Sequence, residues 1–235
     1  MKKGKRIISV ILALILVAVV IITLAACGKK EPEKEQGIDY LVLVNKENKL
    51  PDDWEENLKT VTVKNSLGDD VEVENEAYDA YLQLKDALLA EGIHVDLDSA
   101  RRSVAAQQQI WDDFTVKYGE AYTKRYVAVP GYSEHHTGLA LDLYLNIDGT
   151  DVYENEDMVV YTDIWASIKD KLPEYGFILR YLEGKEAITG YGYEPWHIRY
   201  VGSKEIAKEI MDKGITLEEY LGRLPETDVA PPKDE

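Results

Sequence analysis

Residues 131–142 (GYSEHHTGLALD) join a polar loop, bounded by glycines, to an apolar run that carries one carboxylate. His135 lies in the loop, and Asp142 lies among the leucine and alanine residues of the run. A carboxylate in such surroundings is costly unless it is paired or bound to a metal ion. Because a histidine nitrogen and a carboxylate oxygen are ligands that zinc accepts, we expect His135 and Asp142 to converge on one cation.

A second stretch, residues 193–200 (YEPWHIRY), contains an acid and a histidine three residues apart. With His197 as the third ligand, two histidines and one carboxylate leave a coordination position open for water, as in catalytic zinc sites. Glu194 beside that position can take a proton from the attacking water and pass it to the leaving amine. Residues three apart on a regular strand face opposite sides, so Pro195 is expected to introduce a turn or bulge.

Composition and charge exclude several classes of function. The 235 residues carry a formal net charge of −17, and all 44 acidic residues follow Cys27. A surface of this charge repels phosphate backbones, which excludes nucleic acid as a partner. The single cysteine excludes an internal disulfide and a cysteine-based zinc site. A metal site in this chain therefore has to use histidine, aspartate or glutamate.

The amino-terminal segment is expected to be a targeting sequence. Basic residues precede an apolar run of 20 residues, 7–26, which is long enough to span a bilayer. The run ends in residues 24–28 (LAACG), which resemble a bacterial lipobox. We therefore predict a signal peptide over residues 1–27 with lipidation at Cys27, and the alternative is an uncleaved signal anchor. Both place the domain at the extracytoplasmic face of the bacterial cell membrane, and lipidation would anchor it there.

The remainder of the chain is expected to divide into three parts. Residues 28–39 are polar and predict a flexible tether, residues 40–223 form the domain, and residues 224–235 form an acidic tail. The domain has the usual size of a single hydrophobic core. No segment repeats with a regular period, which excludes a solenoid. We expect the protein to be a monomer.

Hydrophobic spacing predicts helices over residues 76–91, 103–118, 162–172 and 203–213. Strands are predicted over residues 40–44, 93–97, 139–145, 177–181 and 197–201. Ser103 is expected to cap the second helix and Gly119 to end it. Because the order lacks a regular βαβ alternation, it favours an α+β fold in which helices flank an antiparallel sheet.

The two stretches with candidate ligands resemble the paired signatures of the VanY-type D-alanyl-D-alanine carboxypeptidases, zinc peptidases of the bacterial cell wall. Residues 98–107 (DSARRSVAAQ) are similar to a third segment of that family, S-G-Y-R-S-x-x-x-Q, and the similarity covers residues 41–202. The resemblance implies subfamily B of the zinc peptidase family M15 and a hedgehog/D-Ala-D-Ala peptidase-like zinc fold. Ala100 and Arg101 depart from the family pattern, which leaves the substrate preference open.

The resemblance also implies roles for individual residues. One zinc ion per chain would be held by His135, Asp142 and His197. Glu194 would be the catalytic base, and Arg102 would stabilise the carbonyl oxygen or hold the substrate carboxylate. The substrate site would also be lined by Gln107 and Ser133. Trp196, between Glu194 and His197, is expected to form a wall of the site.

The implied reaction is removal of the C-terminal D-alanine from peptidoglycan stem peptides that end in D-Ala-D-Ala, by zinc-dependent hydrolysis. Two alternatives of the same fold are an L,D-carboxypeptidase and a D,D-dipeptidase. A third alternative is a surface lipoprotein that binds zinc or peptide without turnover. Glu194 argues against this third alternative, because a binding module has no need of a base beside the metal.

Several other residues are assigned structural roles or left undecided. His94, within an apolar strand, and Arg199, on the strand of His197, are expected to be structural. His136 fits a structural role and a contact to a ligand or substrate equally well. The acidic run over residues 148–157 is expected to be an exposed loop.

Overall fold

The structure, a computed structural model, describes residues 37–225, apart from the side chain of Arg125. The predicted signal peptide with Cys27, residues 28–36 of the predicted tether and residues 226–235 of the predicted tail lie outside the described residues. Over residues 37–225, no helix has both the length and the apolar character needed to cross a bilayer.

The centre of the fold is an antiparallel sheet of five strands with the order β3-β4-β7-β6, and β5 pairs with β4. Its strands are β3 (His94–Ser99), β4 (Ala140–Ile147), β5 (Thr150–Val152), β6 (Phe177–Tyr181) and β7 (Glu194–Tyr200). A separate hairpin is formed by β1 (Thr60–Lys64) and β2 (Asp70–Glu74). The antiparallel sheet with flanking helices confirms the predicted α+β fold.

The longer helices are α2 (Asn75–Ala90), α3 (Val104–Tyr118), α4 (Glu120–Tyr126), α6 (Thr162–Lys171) and α8 (Lys204–Lys213). The shorter ones are α1 (Trp54–Asn57), α5 (Asn155–Met158), α7 (Glu186–Thr189) and α9 (Leu217–Leu221), with 3-10 turns at Glu134–Thr137 and Leu172–Tyr175. Helix α2 buries Ala77, Tyr81, Leu84 and Leu88, whose spacing of three or four residues forms one face. That face belongs to the main core, together with Leu141 and Leu143 of β4 and other strand residues.

The predicted break after the second helix is confirmed. The hydroxyl of Ser103 accepts a hydrogen bond from the Ala106 backbone amide at 3.1 Å and so caps α3. Gly119 ends α3 with φ of 86°, a conformation that other residues rarely adopt. Helix α4, which the sequence analysis did not predict, begins directly after this glycine.

The prediction of a strand over residues 40–44 was wrong. The Tyr40 and Val42 carbonyls each accept a hydrogen bond from Nη2 of Arg199, at 2.9 Å in both cases. The Val42 amide donates to the Asp39 carbonyl and closes a turn instead of joining a ladder. The run is apolar because Leu43 and Val44 are buried, and a buried guanidinium takes the place of a neighbouring strand.

The prediction of a loop over residues 148–157 was also wrong, although most of the run is exposed, as expected. Strand β5 pairs with β4 through Asn146 and Asp151, and α5 follows it. The Asn146 side-chain amide donates to Asp151 at 2.7 Å, which gives one of the acidic residues a specific partner. The acidic composition hid a short strand, because a strand at a sheet edge needs few apolar residues.

The sheet brings distant parts of the chain together at one place. Asp142 of β4 is paired with His197 of β7 and, on its other side, with Ser99 of β3. Cross-strand neighbours in an antiparallel pair have their Cβ atoms about 5 Å apart, close enough for side chains to share a ligand. The 3-10 turn that carries His135 leads into β4, so it lies at the same end of the sheet.

Candidate active site

His135, Asp142 and His197 offer three ligand atoms that all lie within 4.8 Å of one another. His135 Nε2 is 3.1 Å from Asp142 Oδ2, and His197 Nδ1 is 3.0 Å from Asp142 Oδ1. Both histidines are buried, and Asp142 is nearly so. The structure therefore brings together the three residues that the sequence analysis proposed as ligands.

The other atoms of these side chains are held by hydrogen bonds that orient the ligand atoms. His135 Nδ1 lies 2.7 Å from the Ala100 carbonyl, so it carries the proton and leaves the Nε2 lone pair free. Ser99 Oγ donates to Asp142 Oδ2 at 3.0 Å. Asp142 Oδ1 is buried without a hydrogen-bond donor, because its approach to His197 Nδ1 lacks hydrogen-bond geometry. A buried, unsatisfied oxygen on a carboxylate that two imidazoles approach fits a zinc ion.

The charges around the ligands favour a cation. Burial would lower the pKa of His197, but the carboxylates of Asp142 and Glu134 raise it to about 9. Burial and the Arg102 guanidinium lower the pKa of His135 to about 4, so this imidazole is neutral and can act as a ligand. Burial would raise the pKa of Asp142, but the two histidines hold it well below its usual value. The site thus provides one carboxylate charge and a neutral imidazole for a metal ion.

Glu194 reaches the ligands through an irregularity in β7. Leu179 of β6 pairs with Ile198, whereas Tyr181 pairs with Glu194, so β7 holds two extra residues between these pairs. This confirms the bulge that was expected at Pro195. Glu194 Oε2 lies 3.8 Å from His197 Nδ1. Burial raises the pKa of Glu194 to about 7, against the opposing charge of His197.

A buried network behind His197 was missed by the sequence analysis. Glu134 Oε2 lies 3.2 Å from His197 Nε2, and Glu134 Oε1 accepts from Arg180 Nε at 2.8 Å and from Arg199 Nη1 at 2.6 Å. Arg180 also donates to both carboxylate oxygens of Glu218, which accepts from the Asn45 amide as well. The side chains of both arginines and both glutamates are fully buried. Glu134 thus holds the Nε2 proton of His197, so Nδ1 is the nitrogen that would bind a metal ion once it has released its own proton.

One signal in the sequence could have revealed this network. Arg180 and Arg199 each interrupt a run of buried strand residues, and an isolated arginine in an apolar strand requires an acidic partner.

Burial would raise the pKa of Glu134, but the Arg180 and Arg199 guanidiniums keep it well below its usual range. Arg199 has the structural role that was expected, but its partner Glu134 was not predicted.

The ligands lie in a cleft of about 680 Å³. All four residues proposed to contact substrate line it, namely Arg102, Gln107, Ser133 and Trp196. Gln107 donates through Nε2 to the Ala128 carbonyl, while its Oε1 is buried without a partner. Tyr191, which the sequence analysis did not propose, also lines the cleft, and its buried hydroxyl has no hydrogen-bond partner. These unsatisfied groups are available to a bound molecule.

The two remaining histidines lie outside the ligand set. Nδ1 of His136 lies 2.7 Å from the Arg102 carbonyl, and its Nε2 accepts from the Gly131 amide at 3.0 Å. Both ring nitrogens are thus used on backbone groups, which decides for a structural role: His136 ties the loop to the backbone of Arg102. His94 is exposed on β3 and does not line the cleft.

In comparisons with known proteins, the three ligand residues lie within a segment that matches one family. A family profile described as "VanY: D-alanyl-D-alanine carboxypeptidase" matches residues 70–203. The chain is 36% identical over 201 residues to the D-alanyl-D-alanine carboxypeptidase of Enterococcus faecalis, which covers 80% of this chain and 69% of that protein.

Solved structures that are similar over most of the chain include two peptidases. One is a glutamate-to-alanine variant of the vancomycin resistance D,D-pentapeptidase VanY in complex with Zn(II), with 33% identity, a TM-score of 0.65, and coverage of 78% of this chain and 99% of that one. The other is the LdcB LD-carboxypeptidase, with 37% identity, a TM-score of 0.64, and coverage of 79% and 86%. Together with the converging ligands, the Zn(II) of the first structure confirms zinc as the expected cofactor.

Proposed function

Because the chain belongs to the VanY family of D-alanyl-D-alanine carboxypeptidases, we propose that it hydrolyses the terminal amide bond of peptidoglycan stem peptides and releases D-alanine. The observation that carries this proposal is the convergence of His135, Asp142 and His197 beside the half-buried carboxylate of Glu194. A zinc site with three protein ligands retains an open position, as catalytic zinc sites do.

Each side chain then has a distinct task in the reaction. His135, Asp142 and His197 would hold the zinc ion, which supplies a Lewis acid for the scissile carbonyl. Glu194 Oε2 would accept a proton from the attacking water and deliver it to the amide nitrogen of the departing D-alanine. Proton transfer at one carboxylate in both directions accounts for hydrolysis without a second acid.

Metal removal is expected to abolish activity. Incubation with a chelator should eliminate the release of D-alanine from a synthetic pentapeptide stem, and added zinc should restore it. The reason is that the proposed reaction needs the zinc ion, which no side chain of the site can replace. Mass spectrometry of the peptide before and after incubation measures the loss of one alanine. Release of D-alanine that is indifferent to chelators would contradict the mechanism.

Arg102 is the cation best placed to hold the terminal carboxylate of the substrate. It lines the cleft with Glu194 and the ligands, and its Nε is buried without a hydrogen-bond partner. Its backbone is fixed from both sides, since its amide donates to the His135 carbonyl and its carbonyl faces His136 Nδ1. A preorganised guanidinium of this kind suits a carboxylate.

Replacement of Arg102 with alanine is expected to lower kcat/KM for the pentapeptide roughly 10- to 100-fold, mainly through KM, since a hydrogen bond to a charged group contributes about 1.5–3 kcal/mol. The neighbouring Arg101→Ala is the matched control, because Arg101 forms ion pairs with Glu55 and Glu72 outside the cleft. A peptide amidated at its C-terminus should be insensitive to Arg102→Ala. Equal losses with the acid and the amide would show that Arg102 does not bind the carboxylate.

A second candidate is L,D-carboxypeptidase activity on tetrapeptide stems. It is favoured by the similarity to the LdcB LD-carboxypeptidase, which matches that to VanY in TM-score and slightly exceeds it in identity. Ala100 and Arg101 do not decide between the two, because Ala100 is buried and Arg101 is directed toward Glu55 and Glu72. Parallel incubation with tetrapeptide and pentapeptide stems separates these activities by the peptide that is shortened.

The anchoring of the protein is part of the same proposal. The lipobox-like residues 24–28 support lipidation at Cys27 and a position on the extracytoplasmic face of the cell membrane. The polar tether would then let the domain, which we expect to be monomeric and to belong to subfamily B, reach newly made cell wall. This arrangement fits the substrate, since stem peptides are exposed on that side of the membrane.

A further inference from the structure

The exposed tyrosines of the described residues are concentrated in one place. The structure describes all 16 tyrosines of the chain, and five of them expose more than 40% of their surface. These five are Tyr118, Tyr122, Tyr126, Tyr153 and Tyr193. All five line the cleft that holds the candidate zinc site, whereas the other tyrosines are buried or half-buried. Exposed aromatic residues gathered in one groove indicate a binding surface.

Three of these tyrosines and Phe114 form a continuous row, the aromatic ladder. Its ring centroids are 5.4 Å apart between Phe114 and Tyr118, 4.8 Å between Tyr118 and Tyr122, and 4.6 Å between Tyr122 and Tyr126. The spacing of four residues continues through Gly119, so the end of α3 and the whole of α4 present one aromatic edge to the cleft.

We propose that the aromatic ladder is a saccharide-binding subsite, which takes the N-acetylated pyranose rings of the glycan to which a stem peptide is attached. This inference rests on the proposed function, because it concerns the remote part of the same substrate. The axial C–H groups of a pyranose form an apolar face that packs on an aromatic ring. Because Tyr118 and Tyr122 are stacked on each other, the sugar would pack on the ring edges and the uncovered parts of the ring faces that line the cleft.

The polar residues of the cleft favour a sugar over more peptide at this place. Glu154, Asn155 and Glu156, at the start of α5, line the cleft together with the ladder. Their side-chain oxygens accept hydrogen bonds, and sugar hydroxyls donate them. With Lys117 as the basic residue beside them, Glu154 and Glu156 leave this part of the cleft net negative. It would therefore repel an acidic peptide residue, and the net charge of −17 would add to that repulsion. A neutral ring with many hydroxyls avoids both penalties.

The position of the ladder explains how it would contribute to the reaction. It belongs to the same cleft as Arg102 and Glu194 but adds no group that reacts. Binding of a remote, unreactive part of the substrate positions the scissile bond and raises the rate for the complete substrate over that for a fragment. The ladder would therefore distinguish stem peptides that carry a glycan from free peptides.

A binding measurement tests the proposal independently of the hydrolytic reaction. The full chain, purified in detergent, is titrated with the tetramer of N-acetylglucosamine, which contains no peptide. We expect Tyr122→Ala to weaken binding roughly fivefold, as the loss of one aromatic contact predicts, and Tyr122→Phe to preserve it. Val116→Ala is the control, since Val116 is exposed on α3 but does not line the cleft.

Kinetics then compare a disaccharide-linked pentapeptide with the free pentapeptide. Tyr122→Ala is expected to lower kcat/KM roughly fivefold for the linked substrate and to leave it unchanged for the free one. Equal losses for both substrates would assign the ladder to peptide binding and overturn the proposal. If Tyr122→Ala instead changes the oligomeric state of the protein and leaves binding of the N-acetylglucosamine tetramer unchanged, the ladder forms contacts between copies of the chain. That result would also overturn the proposal.

The two proposals fail in different ways. If the free pentapeptide is not hydrolysed by the wild-type protein, the proposed function is wrong, and the titration with the tetramer still decides whether the ladder binds saccharide. If the free pentapeptide is hydrolysed but the tetramer does not bind, the saccharide subsite is wrong and the proposed function stands.

Discussion

Replacement of Glu194 with glutamine is expected to lower kcat for D-alanine release by roughly 10²- to 10⁴-fold, the contribution of a positioned general base. The amide is close in size and shape to the carboxylate, but it cannot accept a proton from water. Glu194 is separate from the three ligands, with its Oε2 at 3.8 Å from His197 Nδ1, so zinc should remain bound. KM should change little, because the substitution removes proton transfer from the attacking water and leaves the groups that bind the substrate's terminal carboxylate unchanged.

The measurement combines single-turnover kinetics with zinc analysis of the same purified sample. Glu186→Gln is the matched control, because Glu186 is an exposed residue of α7 that does not line the cleft. Undiminished turnover of Glu194→Gln with zinc present would remove Glu194 from the proposed role. A loss of zinc together with activity would instead show that Glu194 contributes to metal binding.

Glu134→Gln is expected to produce the second large effect, on stability and on metal affinity together. Glu134 Oε1 accepts from both Arg180 and Arg199, and Oε2 faces His197 Nε2. Glutamine cannot neutralise the two arginines, and its amide group would present a donor where a donor already lies. Breaking a buried charge network in this way costs about 3–5 kcal/mol in the free energy of unfolding.

The same substitution releases the ring of His197 from the carboxylate that orients it. The removal of such a partner weakens metal binding by roughly 10- to 100-fold. Denaturant unfolding measures the first effect, and competition with a zinc-binding dye measures the second. If Glu134→Gln folds too poorly to purify, zinc added during refolding should recover it, since a ligand of the folded state stabilises that state.

Glu209→Gln is the control for Glu134→Gln, because Glu209 forms an exposed ion pair with Lys213 one helical turn away. Its loss should change the free energy of unfolding by less than about 1 kcal/mol. Zinc affinity for Glu134→Gln equal to that of the wild type would contradict the orienting role, even if stability falls. The two measurements therefore separate a structural contribution of Glu134 from its effect on His197.

The ligand residues could be predicted from the sequence because two of them carry a local anomaly and the third, His135, lies in a polar loop directly before the strand of Asp142. Asp142 is a carboxylate in an apolar strand, and His197 follows an acid at a spacing that a regular strand cannot use. The helix ends could be predicted for a similar reason, since Ser103 and Gly119 act on backbone groups a few residues away. Such features depend on neighbours along the chain.

The partners of Glu134 could not be predicted in this way. Arg180 and Arg199 lie 46 and 65 residues from it along the chain, on β6 and β7. Many acidic residues in this sequence are available for each arginine, and only the packing of the strands selects one. The error at residues 40–44 has the same origin, because the apolar pattern shows burial but not which group satisfies the carbonyls.

The amino-acid sequence alone determined the ligand set, the acid beside it, the α+β class and the ends of the main helices. These features follow from residue spacing, from helix capping and from the free-energy cost of a charge among apolar residues. Tertiary structure alone decided which donors satisfy the buried carboxylates, that His136 serves the backbone of Arg102, and that five exposed tyrosines share one cleft. The physical reason is range: propensities act over a few residues, whereas buried charges and surface clusters depend on strands and helices that meet only in the folded protein.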